Sequence, residues 1–139
     1  MAQTDLRRLT RLVRLREAER LTAAAMLAQC CQAQARNESL SARIGTMLNS
    51  AGCDYRSMDA AALHTALGFA VGLVELAGRA AGEAHAAARQ AQAARQALAG
   101  ADRRLKLGGD RLAREERIAA QNTAYELPYT GKPHAWHDS

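Results

Sequence analysis

The sequence predicts an all-α chain: a long antiparallel two-helix coiled-coil hairpin over residues 1–126, followed by a flexible, disordered C-terminal tail over 127–139. Three observations predict it. Of 139 residues one is Phe, three are Tyr and one is Trp, so the large side chains that fill a compact core are scarce and burial falls to Leu, Val and Ala. Ala is the best helix former and the smallest apolar knob, which favours long helices in close approach over a globule with a deep pocket. Second, the only prolines, Pro128 and Pro133, stand in the last residues, so no proline breaks a helix before them. Third, apolar residues recur every seven positions through the second half of the chain.

The first helix is expected at about 5–49, with Asp5 as its N-cap. Leu6, Leu9, Val13, Leu27, Cys31, Ile44 and Leu48 form a drifting apolar stripe between arginines and glutamines. Residues 50–57 hold Gly52 and the capping candidates Asp54 and Ser57 with no apolar period, the composition of a turn between antiparallel helices.

The second helix is expected at about 58–126. One series, Leu63, Ala70, Ala77, Ala84, Ala91, Leu98, Leu105, Leu112 and Ala119, is apolar at every step. The partner series assigned to it, Ala60, Leu67, Val74, Ala81 and Ala88, then meets Arg95, Asp102, Gly109 and Glu116. A sustained seven-residue repeat specifies a left-handed coiled coil, with an alanine-rich globular bundle as the alternative. At about 1.5 Å per residue this helix reaches on the order of 100 Å, so its later part is expected to overhang the first and meet a partner. Gly108-Gly109 before Asp110 marks a place where the helix can kink or restart. The tail, with Pro128, Gly131 and Pro133, has no period.

Nineteen Lys and Arg face fourteen Asp and Glu, a formal net charge of +5, and only Lys106 and Lys132 are lysine. The arginine fork suits carboxylates and phosphates, so acidic protein faces, nucleic acid or an anionic surface are the partners this charge implies. Arg7, Arg8, Arg11 and Arg14 crowd the start of the first helix, where the helix dipole disfavours positive charge. They are either a solvated basic face or a binding face. A targeting peptide would be poor in acids, whereas Asp5, Glu17 and Glu19 fall here.

Cys30, Cys31 and Cys53 make an odd count with no secretory pattern before them, so a disulfide framework is not expected and a reducing cytoplasm is. The apolar run Leu67 to Leu76 is interrupted by Gly68, Gly72 and Glu75 and is about half the length of a spanning helix, so no transmembrane segment is expected. Gly68-x-x-x-Gly72 and Gly78-x-x-x-Gly82 are read as sites of close helix approach. The pairs Cys30-Cys31 and His134/His137 do not assemble four convergent ligands, so neither a metal nor another cofactor is expected. His64 and His85 stand off the apolar series without a triad spacing and are expected to be solvated. No phosphate loop, zinc-protease helix or nucleophile elbow is present, so neither an enzyme nor a small-molecule substrate is expected.

The opening Leu-Arg-Arg-Leu-x-Arg-Leu-x-x-Leu-Arg-Glu-x-Glu of residues 6–19, followed by an Ala- and Gln-rich helix, a turn near one third of the length and a longer second helix, resembles the FliJ family of flagellar and type III export proteins. The resemblance covers residues 6–125 by pattern. It implies a small cytoplasmic coiled-coil stalk, peripheral at the membrane only through its partners, that couples an export ATPase ring to an export gate protein. On that likeness Arg7, Arg8, Arg11 and Arg14, with Arg111, Arg114 and Arg117 opposite them, sit in the ring against acidic loops. Ile44, Leu48, Tyr55 and Leu67 face the gate. The family's acidic stretch late in the second helix is not reproduced, since this chain reads Asn122-Thr-Ala-Tyr-Glu126. The rival readings are a nucleic-acid-binding coiled coil, which the sparse lysines and the lack of a reading motif disfavour, and a granule- or membrane-surface coat.

Overall fold

The structure, a computed structural model, describes residues 2–51 and 59–131, with side chains described for 3–50 and 59–125. It is all-α: α1 spans Ala2–Ala51 and α2 spans Ala60–Gly131. The two helices pack against each other, and no strand occurs among the described residues. The expected turn at 50–57, with Asp54 and Ser57, lies almost wholly outside the described residues, as does the tail from Lys132 onward.

The helix ends differ from the expected ones for local reasons. α1 begins before Asp5, which places that carboxylate inside the first turn, where it complements the positive end of the helix dipole instead of capping it. α2 is capped by Asp59, whose Oδ1 accepts a hydrogen bond of 2.7 Å from the Ala62 N–H. The Asp59 carbonyl accepts the first helical bond, 2.8 Å from the Leu63 N–H. α2 passes through Gly108-Gly109 unbroken and continues through Pro128 to Gly131, beyond the expected end at 126. Threonines within the helices are accommodated by bonding back one turn. Thr10, Thr22, Thr46, Thr65 and Thr123 each donate to the carbonyl four residues earlier.

The chain divides into two units, Met1–Ala23 with Leu98–Ser139, and Ala24–Ala97. In the first, Leu9 and Ala101 are buried, with Leu6, Leu12, Val13, Leu98, Leu105 and Leu112 half-buried around them. In the second, Ile44, Leu73, Ala80, Ala87, Ala91 and Ala94 are buried. Alanine therefore forms most of the core, and Ala91 is its most enclosed residue at 0% exposure.

Burial along α2 keeps a seven-residue period. The series from Leu63 to Ala119 is buried or half-buried at every step, as expected. Its companion is not the expected one. Ala66, Leu73, Ala80, Ala87, Ala94, Ala101, Gly108 and Glu115 are the inward positions, whereas Ala60, Leu67, Val74 and Ala81 are exposed and only Ala88 of the expected series is half-buried. The correction has a reason visible in the residues: the companion three positions after each member of the first series stays apolar through Gly108, while the one four positions after it meets Arg95 and Asp102.

α1 shows the matching period at Ala23, Leu27, Cys30, Gln34, Asn37, Ser41, Ile44 and Leu48, all buried or half-buried. Its middle is polar. Gln34 Nε2 donates to Glu38 Oε1 at 2.9 Å, one turn on.

The glycine pairs do not mediate close approach. Gly68, Gly72, Gly78 and Gly82 are exposed, and a Cβ added at any of them would meet nothing within 4 Å. They lie off the inward series, which is why their spacing carries no packing role.

Candidate arginine-lined surface

The first unit carries the arginines on which the sequence focuses. Its helices are joined by two ion pairs. Arg20 Nε donates to Asp102 Oδ1 at 2.5 Å, and Arg104 Nε lies 3.8 Å from Glu19 Oε2. Within α1, Arg16 donates to that same Glu19 oxygen at 3.0 Å. Glu19 therefore stands between a guanidinium of its own helix and one from α2. These side chains are 30% to 51% exposed, so each pair is screened by water and contributes between nothing and about 1 kcal/mol.

Two open grooves lie on this unit, the first adjoining these pairs through Arg16 and Arg104. One is lined by Leu12, Arg16, Arg104, Leu107, Gly108 and Arg111, giving an apolar floor edged by three arginines. The other is lined by Asp5, Arg8, Leu9, Arg111 and Glu115, so Arg8 of α1 and Arg111 of α2 share a wall. Val13 reaches the floor of the helix contact at Gly108, where an added Cβ would lie 3.6 Å from Val13 Cγ2.

Of the arginines expected to bind a partner, the structure thus brings Arg8 and Arg111 together. Arg7, Arg11, Arg14, Arg114 and Arg117 are exposed on the same unit, and among the described residues none of the seven makes an ion pair. Arg16 and Arg104 belong to the surface and were not singled out from the sequence. The available signal was the position of Arg16 in the inward phase of α1, half-buried where an apolar residue is expected.

The second set of expected partner residues differs in exposure among the described residues. Ile44 is buried at 3% exposure, so it belongs to the helix–helix core and is not offered outward. Leu48 is half-buried, Leu67 is exposed, and Tyr55 lies outside the described residues. His64 and His85 are exposed. Among the described residues no group of three or more His, Cys, Asp or Glu converges.

The apolar stretch of α2 exceeds the Leu67–Leu76 run. An 18-residue window has mean hydropathy 1.6 and is only 6% buried, long and apolar enough by length and composition to cross a membrane. Compared with known proteins, the chain matches no family model, no curated protein and no solved structure.

Proposed function

We propose that the chain is a non-enzymatic antiparallel coiled-coil hairpin that presents its arginine-lined unit to an acidic protein surface, as the stalk of a flagellar or type III export ATPase would. The observation that carries this reading is the joint display of arginines by two helices: Arg8 and Arg111 on one groove, Arg16, Arg104 and Arg111 on the other. An apolar floor between guanidinium groups suits a protein loop that brings carboxylates flanking an apolar side chain. The antiparallel direction is supported by the cross-helix partners. As α1 ascends from Val13 through Glu19 to Arg20, its partners on α2 descend from Gly108 through Arg104 to Asp102. The seven-residue burial period of both helices supports coiled-coil packing.

The export ATPase, and a gate protein beyond it, are the partners implied by the sequence resemblance alone, and with them a cytoplasmic position peripheral to the membrane. Replacing Arg7, Arg8, Arg11 and Arg14 by Gln should leave helicity by circular dichroism unchanged. The same change should weaken binding to a purified export ATPase, in nuclease-treated buffer, by about tenfold or more. Unchanged affinity would remove those arginines from the site, and retention of nucleic acid alone, lost on nuclease treatment, would replace the stalk by a nucleic-acid-binding role.

A further inference from the structure

Among the described residues, one carboxylate reaches the arginines of the first groove. Glu19 Oε2 accepts from Arg16 Nη1 at 3.0 Å and lies 3.8 Å from Arg104 Nε, while Arg111 makes no ion pair there. Arg16, Arg104 and Arg111 all line that groove with Leu12, Leu107 and Gly108, but Glu19 does not. Helix spacing accounts for the difference. Glu19 comes three positions after Arg16 on α1 and Leu12 four positions before it, so the carboxylate and the apolar floor adjoin Arg16 from opposite directions along the helix. Two of the three groove arginines are thus drawn, from outside the space a ligand would take, onto a single oxygen of the chain's own carboxylate.

We infer that Glu19 is a built-in competitor for the partner's carboxylate: it holds Arg16 and Arg104 in the free chain and gives them up when an acidic protein segment enters the groove. The inference rests on the reading of this unit as a docking surface for an acidic protein, and it adds how that surface is regulated. Arg111 is the guanidinium open to the first contact, and it lines the second groove as well. Arg16 and Arg104 follow by exchanging one carboxylate for another. Such an exchange is easy because both side chains are long and partly exposed, at 30% and 51%, and exposed pairs of this kind are weak. Orienting the arginines is the smaller effect of Glu19, since at 3.8 Å Arg104 is beyond hydrogen-bond distance and is held by charge alone. The negative charge itself is undiminished, so it opposes every carboxylate that approaches the same two guanidinium groups.

The test is fluorescence anisotropy of the full chain at low salt with a labelled peptide containing Glu-Asp-Leu-Glu-Asp. Glu19→Gln keeps the size of the side chain and removes its charge, whereas Glu19→Asp keeps the charge. The expected result is that Glu19→Gln binds the peptide about threefold to tenfold more tightly, with circular dichroism unchanged, while Glu19→Asp stays closer to the natural chain. In a background carrying Arg16→Gln and Arg104→Gln the same Glu19→Gln change should alter affinity by less than about twofold, because the groups it competes for are gone. Unchanged or weaker binding by Glu19→Gln overturns the inference. An equal gain in the double-arginine background also overturns it, since the effect would then be one of net charge. Arg111→Gln tests the groove separately and should weaken binding about threefold or more. If it does so while Glu19→Gln has no effect, the docking surface stands and the competitor falls. If Arg111→Gln leaves affinity unchanged, or no chain binds the peptide, the docking surface falls and the competitor with it.

Discussion

Gly108 and Gly109 illustrate how a residue signal is overruled by its element. Two adjacent glycines cost the helix about 2 kcal/mol relative to alanine, yet α2 runs through them, held by Leu105 and Leu112 half-buried on either side. Neither glycine is required by space. An added Cβ at Gly109 meets nothing within 4 Å, and at Gly108 it makes ordinary contact with Val13. Gly109→Ala should therefore raise the unfolding free energy by about 0.5–1 kcal/mol, read from urea denaturation with the slope unchanged. A loss of stability would show that the helix bends there in solution. The same residue-level view separates charges that can be read from a sequence from those that cannot. Arg7 to Arg14 are evident as a cluster, but the meeting of Arg104 with Glu19 and of Arg20 with Asp102 depends on which residues two distant segments set side by side.

At the scale of the element, the helical class and the length of both helices were legible because alanine abundance and the absence of early proline leave little else for the backbone to do. One inward series of α2 was legible for the same reason. The expected companion, Ala60, Leu67, Val74, Ala81 and Ala88, stands one position later than the inward one, because a helix turned by one residue still meets apolar side chains at every one of those five steps. The structure buries Leu73, Ala80 and Ala87 and exposes Leu67, Val74 and Ala81. Two substitutions decide between the phases. Ala87→Glu places an unpaired charge at a buried position and should cost about 3 kcal/mol or more, whereas Ala81→Glu, exposed, should change stability by no more than about 0.5 kcal/mol. Equal effects in thermal melts would reject the inward series described for α2. In α1 the polar middle of the inward series predicts uneven protection. Amides of 30–41 should exchange with deuterium faster than those of 6–16, where Leu9, Leu12 and Val13 line the contact. Uniform exchange along α1 would mean that the polar residues are as well enclosed as the leucines.

At the scale of the whole molecule, the two units divide the character of the chain between them. The unit with both chain ends holds most of the arginines, and the other holds most of the exposed large apolar side chains. Neither property needs a pocket, and the charge was evident from composition, whereas the exposure of the apolar residues required knowing which face the helices had already used. The alanine series has a mechanical consequence as well. It presents nearly the same methyl at every seventh residue, so a slip of one repeat between the helices exchanges one alanine for another and changes the buried surface little. What opposes such a slip is the inward residues larger than alanine, Leu27, Ile44, Leu48, Leu63 and Leu73 in one unit and Leu9, Leu98, Leu105 and Leu112 in the other, where Arg20–Asp102 and Glu19–Arg104 add to them.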